Sequence, residues 1–120
     1  MLTLDRFTQL LEQACATLPQ KIFEGLNLGV GVIEGAKARN DTASGQAAFI
    51  LGEYRAGPQM GRGIVLFYGS FLRVYPHIDD DEEGYALIEG VLKHELTHHL
   101  ESQAGARDLE MADARRLQEM

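Results

Sequence analysis

The stretch ALIEGVLKHELTHHLE, residues 86–101, decides the reading of this chain. Leu87, Ile88, Val91, Leu92, Leu96 and Leu100 recur at the three- and four-residue spacing of one helical face, which predicts a long amphipathic helix. Within it stand His94, Glu95 and His98, an HExxH pattern. On a helix, residues four apart share a face, about 40° apart around the axis and about 6 Å along it. Two imidazoles so placed can aim at one ion, and Glu95, about 100° round from His94, can reach a water on that ion. Neutral imidazoles hold zinc without filling its coordination shell, and an adjacent carboxylate takes the proton from water as it attacks a carbonyl. The spacing predicts a Zn2+ site with His94 and His98 as ligands and Glu95 as catalytic base.

The flanks of this helix set its limits. Asp79, Asp80, Asp81, Glu82 and Glu83 form an acidic run without the alternate-position ligands and glycine of an EF-hand. Carboxylates gather at helix N-termini because unpaired amides and the helix dipole favour negative charge there, so the run is expected to start the helix. At the other end Gly105 is a natural C-terminal cap, and Asp108–Glu119 is expected as a last amphipathic helix with Leu109, Ala112 and Leu117 inward. A catalytic zinc site needs a third protein ligand and an open position. A chain turning at Gly105 would bring Asp108 back to the ion, so Asp108 is the expected ligand, ahead of Glu101, Glu110 and Asp113. Glu101 shares the histidine face but lies about 10 Å along the axis from His94. His99 points about 100° away from His98 and is expected at the surface or behind a ligand. His77, before the acidic run, is expected in solvent.

Upstream, Leu4, Phe7, Leu10, Leu11, Ala14 and Leu18 form a helical stripe, with Thr3 as N-cap and Pro19 as stop. Asn27–Glu34 alternates apolar and small residues as a half-buried strand does, and 35–46 reads as a loop. Ala48–Tyr54 is a second strand, 55–63 a wide turn with three glycines and Pro58, and Ile64–Tyr68 a third strand, apolar almost throughout. That third strand is expected to be covered on both faces or to wall a site, and to offer an edge to an extended substrate. Tyr68 and Tyr75 are candidates for steadying an oxyanion. Ser70 is expected to cap a short helix ending before Pro76.

With 120 residues, 45% of them hydrophobic, the chain is expected to form one domain over 1–120. Its net charge is −7 and its Lys and Arg residues are scattered, leaving no basic stripe for nucleic acid or an anionic membrane surface. No apolar run reaches membrane-spanning length, and Asp5 and Arg6 interrupt any signal-peptide core, so a cytoplasmic location is expected. The single Cys15 excludes an internal disulfide and, among the apolar positions of the first helix, reads as a buried thiol rather than a nucleophile.

The segment HELTHHLES resembles the metal-binding helix of the minimal zincins, small bacterial one-domain zinc metallopeptidases. The resemblance extends to Phe7–Leu11 with Leu18-Pro19, to Leu28–Glu34 (LGVGVIE), to Ile50–Tyr54 and to Gly63–Tyr68. It implies a zincin-like α+β fold with a small mixed or antiparallel sheet packed against the N-terminal helix and the HExxH helix. It also implies His94 and His98 as ligands and Glu95 as base. Many zincins carry a turn glycine two or three residues after the second histidine, whereas Leu100, Glu101 and Ser102 stand here. The expected activity is zinc-dependent hydrolysis of a peptide or protein substrate. The competing expectation is a non-catalytic metal-binding or protein-interaction domain on the same scaffold.

Overall fold

Thr3 opens the first helix, its hydroxyl accepting from the Arg6 amide at 3.1 Å. A computed structural model describes the backbone of residues 1–39 and 48–119, with side chains for 1–39 and 48–106. Helix α1 (Leu4–Thr17) is followed by a 3-10 turn (Gln20–Phe23) and strands β1 (Gly29–Ile33), β2 (Lys37–Ala38), β3 (Phe49–Ile50), β4 (Gly52–Gly57) and β5 (Gly61–Phe67). Helix α2 (Tyr68–Val74) then leads to α3 (Asp81–Glu119). The chain is α+β, with a mixed sheet ordered β1-β5-β4 and a small antiparallel pair, β2-β3.

Two differences from the sequence reading concern pairing. Strand β5 is central, parallel to β1 and antiparallel to β4, so it has no edge to offer a substrate. Its apolar run reflects that place: Ile64 and Leu66 are buried against the helices, and Phe67 is buried on the other face. The expected wide turn over 55–63 is instead a tight hairpin, because pairing continues out to Gly57 opposite Gly61. Gly61 adopts a positive φ of 91° there, a conformation that a side chain disfavours. The second strand breaks at Leu51 into β3 and β4, and β2 lies inside the expected loop, whose residues 40–47 fall outside the described ones.

Helices α1 and α3 lie side by side on one face of the sheet. Phe7, Leu10, Leu11 and Ala14 meet Ile88, Leu92 and Leu96, all buried, with Phe7 edge-on to both Tyr68 and Phe71. Each such large side chain contributes about 1.5–3 kcal/mol on leaving water. Leu100, expected on this face, is 47% exposed, because the stripe drifts off the sheet as the helix runs on. The acidic run works as helix-start chemistry. Asp80 accepts from the Glu82 amide at 2.9 Å, Asp79 meets the Met1 amine, and Asp81 receives both Nε (3.0 Å) and Nη2 (2.8 Å) of Arg6. Ser70 lies within α2 rather than capping it, its buried hydroxyl accepting from the Lys37 amide at 2.9 Å.

Helix α3 does not stop at Gly105. It runs unbroken to Glu119, and Gly105 is not among the glycines with positive φ that a terminal cap requires. The segment from Glu101 is rich in Ala, Glu, Arg, Leu and Gln, whose helix preference outweighs the roughly 1 kcal/mol that one glycine costs. The expected separate helix over 108–119 is therefore the end of α3. Among the described residues no helix is long and apolar enough to cross a membrane.

Candidate active site

Residues 91–99 of α3 lie over β4, and the approach is close because position 52 lacks a side chain. A Cβ on Gly52 would sit 2.6 Å from Val91 Cγ1 and 3.4 Å from Glu95 Cγ. Helix periodicity then sorts the motif: Glu95 and His99 turn toward the sheet and are buried, while His94 and His98 face solvent.

The Nε2 atoms of His94 and His98 are 3.3 Å apart, with the two rings at 90° to each other. Two nitrogens each about 2.0–2.1 Å from a tetrahedral zinc are separated by about 3.3–3.4 Å. The pair is therefore spaced for one cation. A direct N–H···N bond between the rings uses the same distance, and a shared cation would replace that proton. Glu101 approaches the opposite nitrogen of His98, Nδ1, at 3.7 Å, so its carboxylate stands behind the ring rather than beside Nε2. Among the described residues no group of three or more His, Cys, Asp or Glu side chains could hold a metal ion. The Asp108, Glu110 and Asp113 side chains lie outside the described ones. The turn meant to bring Asp108 back is absent, and on an unbroken helix its backbone stands about 15 Å along the axis beyond His98.

Glu95 is 7% exposed, yet its carboxylate makes no hydrogen bond or ion pair among the described residues. Every fully enclosed polar side-chain atom among those residues has a partner, so the Glu95 oxygens keep a narrow opening to water. A largely buried carboxylate without protein partners costs stability, so its presence calls for a use. It lines, with His94, a groove of about 450 Å³ whose other walls include Phe49, Leu51, Tyr75, Leu87 and Val91. The Glu95 carboxylate and the His94 ring therefore line one largely apolar depression, with the His98 ring next to His94.

The free edge of β4 starts at Gly52, which forms part of the wall of this depression. Leu51 accepts from the Phe67 amide at 2.9 Å, so the alternation of an antiparallel ladder turns the amides and carbonyls of Gly52, Tyr54 and Ala56 outward. The two tyrosines separate. Tyr68 is buried and donates to the Leu2 carbonyl at 2.6 Å, and burial, with Glu34 nearby, raises its pKa; it is not placed to meet an oxyanion. Tyr75 lines the groove.

No family model matches the chain, and neither does any curated protein. Among solved structures the chain is similar to a conserved hypothetical protein from Thermo thermophilus. The two are 35% identical, with a TM-score of 0.75 over 87% of this chain and 99% of that one. The chain belongs to that protein's family. Membership in the family of this conserved hypothetical protein carries the arrangement of helices and sheet; the chemistry rests on His94, Glu95 and His98 themselves.

Three site features escaped the sequence reading. His99 is not at the surface: it is 0% exposed, with Nε2 donating to the Glu24 carbonyl at 2.7 Å and Nδ1 facing the Tyr54 hydroxyl at 2.9 Å. A carbonyl only accepts, so Nε2 carries the proton and, in the neutral ring, the tyrosine donates to Nδ1. Gln103 also donates to the Glu24 carbonyl, at 3.0 Å, and accepts from Arg62 at 2.8 Å, which ties the helix behind the motif to the sheet. The other two features are the closeness allowed by Gly52 and the β4 edge. A glycine inside an otherwise strand-like run was the available signal for both. Cys15 is half-buried beside Glu12, and burial first and then that carboxylate raise its thiol pKa, which disfavours a thiolate.

Proposed function

We propose that the chain is a zinc-dependent metallopeptidase with a zincin-like fold, in which His94 and His98 hold Zn2+ and Glu95 is the general base. The observation that carries this reading is the 3.3 Å separation of the two Nε2 atoms beside a buried carboxylate that no group among the described residues satisfies. Zinc held there would supply Lewis acidity, lowering the pKa of a water and polarising a carbonyl. Glu95 takes the proton as water attacks and passes it to the leaving amine. The outward groups of Gly52, Tyr54 and Ala56 pair with an extended, unfolded peptide, and the groove with Phe49, Leu51, Leu87 and Val91 takes a large apolar side chain from it. Tyr75 is the tyrosine available to the developing oxyanion. Such a catalyst needs no membrane and no nucleic acid.

A second reading, a metal-binding or interaction domain without turnover, is favoured by the absence of a third ligand among the described residues. The experiment that separates the two begins with elemental analysis of untagged protein dialysed against zinc. About one zinc per chain is expected in the wild type and in Glu95→Gln, and none in His94→Ala/His98→Ala. Hydrolysis of a mixed unfolded-peptide library should fall about 10²-fold or more in Glu95→Gln while the metal stays. Stoichiometric zinc in the double-histidine variant sinks the site; zinc binding without wild-type turnover leaves the binding domain. Asp108→Ala in the same series tests the third ligand: only a helix that opens at Gly105 lets that carboxylate matter.

A further inference from the structure

The sheet has a second free edge, β1, on the side away from the motif, and it borders a cavity of about 890 Å³. Glu34 turns its carbonyl to the Gly69 amide, so Val30 and Val32 turn theirs toward β5 as well. Gly29, Gly31 and Ile33 then direct theirs outward. Gly29 N–H is already bonded to the Leu26 carbonyl at 3.0 Å, which leaves Gly31 and Ile33 with outward groups that pair with nothing among the described residues. A Cβ at Gly31 would meet nothing within 4 Å. Edge strands are usually guarded by lysine, proline or a bulge, and GVGVI contains neither lysine nor proline. The cavity floor beside it is apolar, formed by Leu4, Leu11, Phe23, Leu26, Val30 and Val32. Its lips are acidic: Asp5, Glu12 and Glu34 are exposed and make no ion pair or side-chain hydrogen bond among the described residues.

We propose that this edge and groove form a peptide-binding site, separate from the motif, for an extended segment with an apolar centre and flanking basic residues. The segment adds a strand to β1, seats its groove-side apolar side chains on the floor, and sets Lys or Arg against the three carboxylates. A second copy of this chain is the poorer occupant. Its own acidic lips would meet these, and the chain already carries a net charge of −7.

The test uses a labelled peptide with a Val-Thr-Val-Thr-Val centre between Lys-Lys ends, and a counterpart with Glu-Glu ends, titrated with the full chain. The lysine peptide should bind saturably, more weakly as salt rises, with amide shifts in a 15N-labelled sample centred on Gly29, Gly31 and Ile33. The glutamate peptide should bind at least about tenfold more weakly. Glu12→Lys/Glu34→Lys, two exposed positions that leave the fold intact, should cost the lysine peptide about tenfold or more. Equal binding of both peptides, affinity untouched by the charge reversal, shifts centred on β4 and α3, or no saturable binding each overturn the proposal. So does a concentration-dependent dimer that shifts β1 without peptide, since the occupant is then a second copy.

Discussion

His99 follows His98 directly in sequence, yet both of its ring nitrogens are engaged inside the fold, on Glu24 and Tyr54. The HExxH spacing made the shared face of His94 and His98 legible, because a four-residue step on a helix fixes that face whatever surrounds it. The same arithmetic sent His99 another way but said nothing of what waits there; only the fold brings Tyr54 and the Glu24 carbonyl to it. Tyr54→Phe keeps the ring packing and removes the hydroxyl that satisfies Nδ1. That leaves a buried acceptor unpaired and should lower stability by about 1–3 kcal/mol, read from the urea midpoint. A midpoint within error of wild type would mean that water replaces the hydroxyl and that the bond does not hold α3 to β4. Glu95 is the opposite case, a buried group without a partner among the described residues, and its substitution should spare stability while it affects turnover.

Among the elements, α1 was legible almost to its ends from the stripe and the Thr3 cap, and the acidic run marked the start of α3. The end of α3 was not, since a glycine in a strongly helical context caps only if the chain beyond it has somewhere to go. Nor was the place of β5 in the sheet, because an apolar run reveals coverage but not which strands pair with it. The contact that sets the site, β4 on α3, depends on Gly52. Gly52→Ala places a Cβ 2.6 Å from Val91 Cγ1, so strand or helix must shift, at a cost of about 1–3 kcal/mol. Val91→Ala removes the clashing methyls. The double variant should therefore be more stable than the sum of the two single effects predicts, by about 0.5 kcal/mol or more. Strict additivity in a denaturation cycle would show that β4 accommodates the methyl without moving the helix.

For the whole molecule, charge works in two directions as pH falls. Protonating carboxylates relieves the self-repulsion of a chain at −7, which favours the compact state. Against this, the start of α3 is tied to α1 by ionised groups. The hydrogen bond from Arg6, followed by its charge, holds the Asp81 carboxyl below the usual carboxylate range, and the Met1 amine does the same for Asp79. A depressed folded pKa gives stability that is fully present above the ordinary carboxylate value of about 3.9 and lost as pH falls through the lower folded value. Both carboxylates are exposed, so each contribution is small and screened by salt. Thermal midpoints should thus hold or rise slightly from neutral pH to about 5, then fall below about 4. Arg6→Gln removes the guanidinium that lowers the Asp81 pKa, so its midpoint should lie slightly below wild type near neutrality. The two curves should converge in acid, where Asp81 is protonated in both chains. An Arg6→Gln curve that stays parallel to wild type down to pH about 3 would place the acid sensitivity elsewhere than the α1–α3 junction.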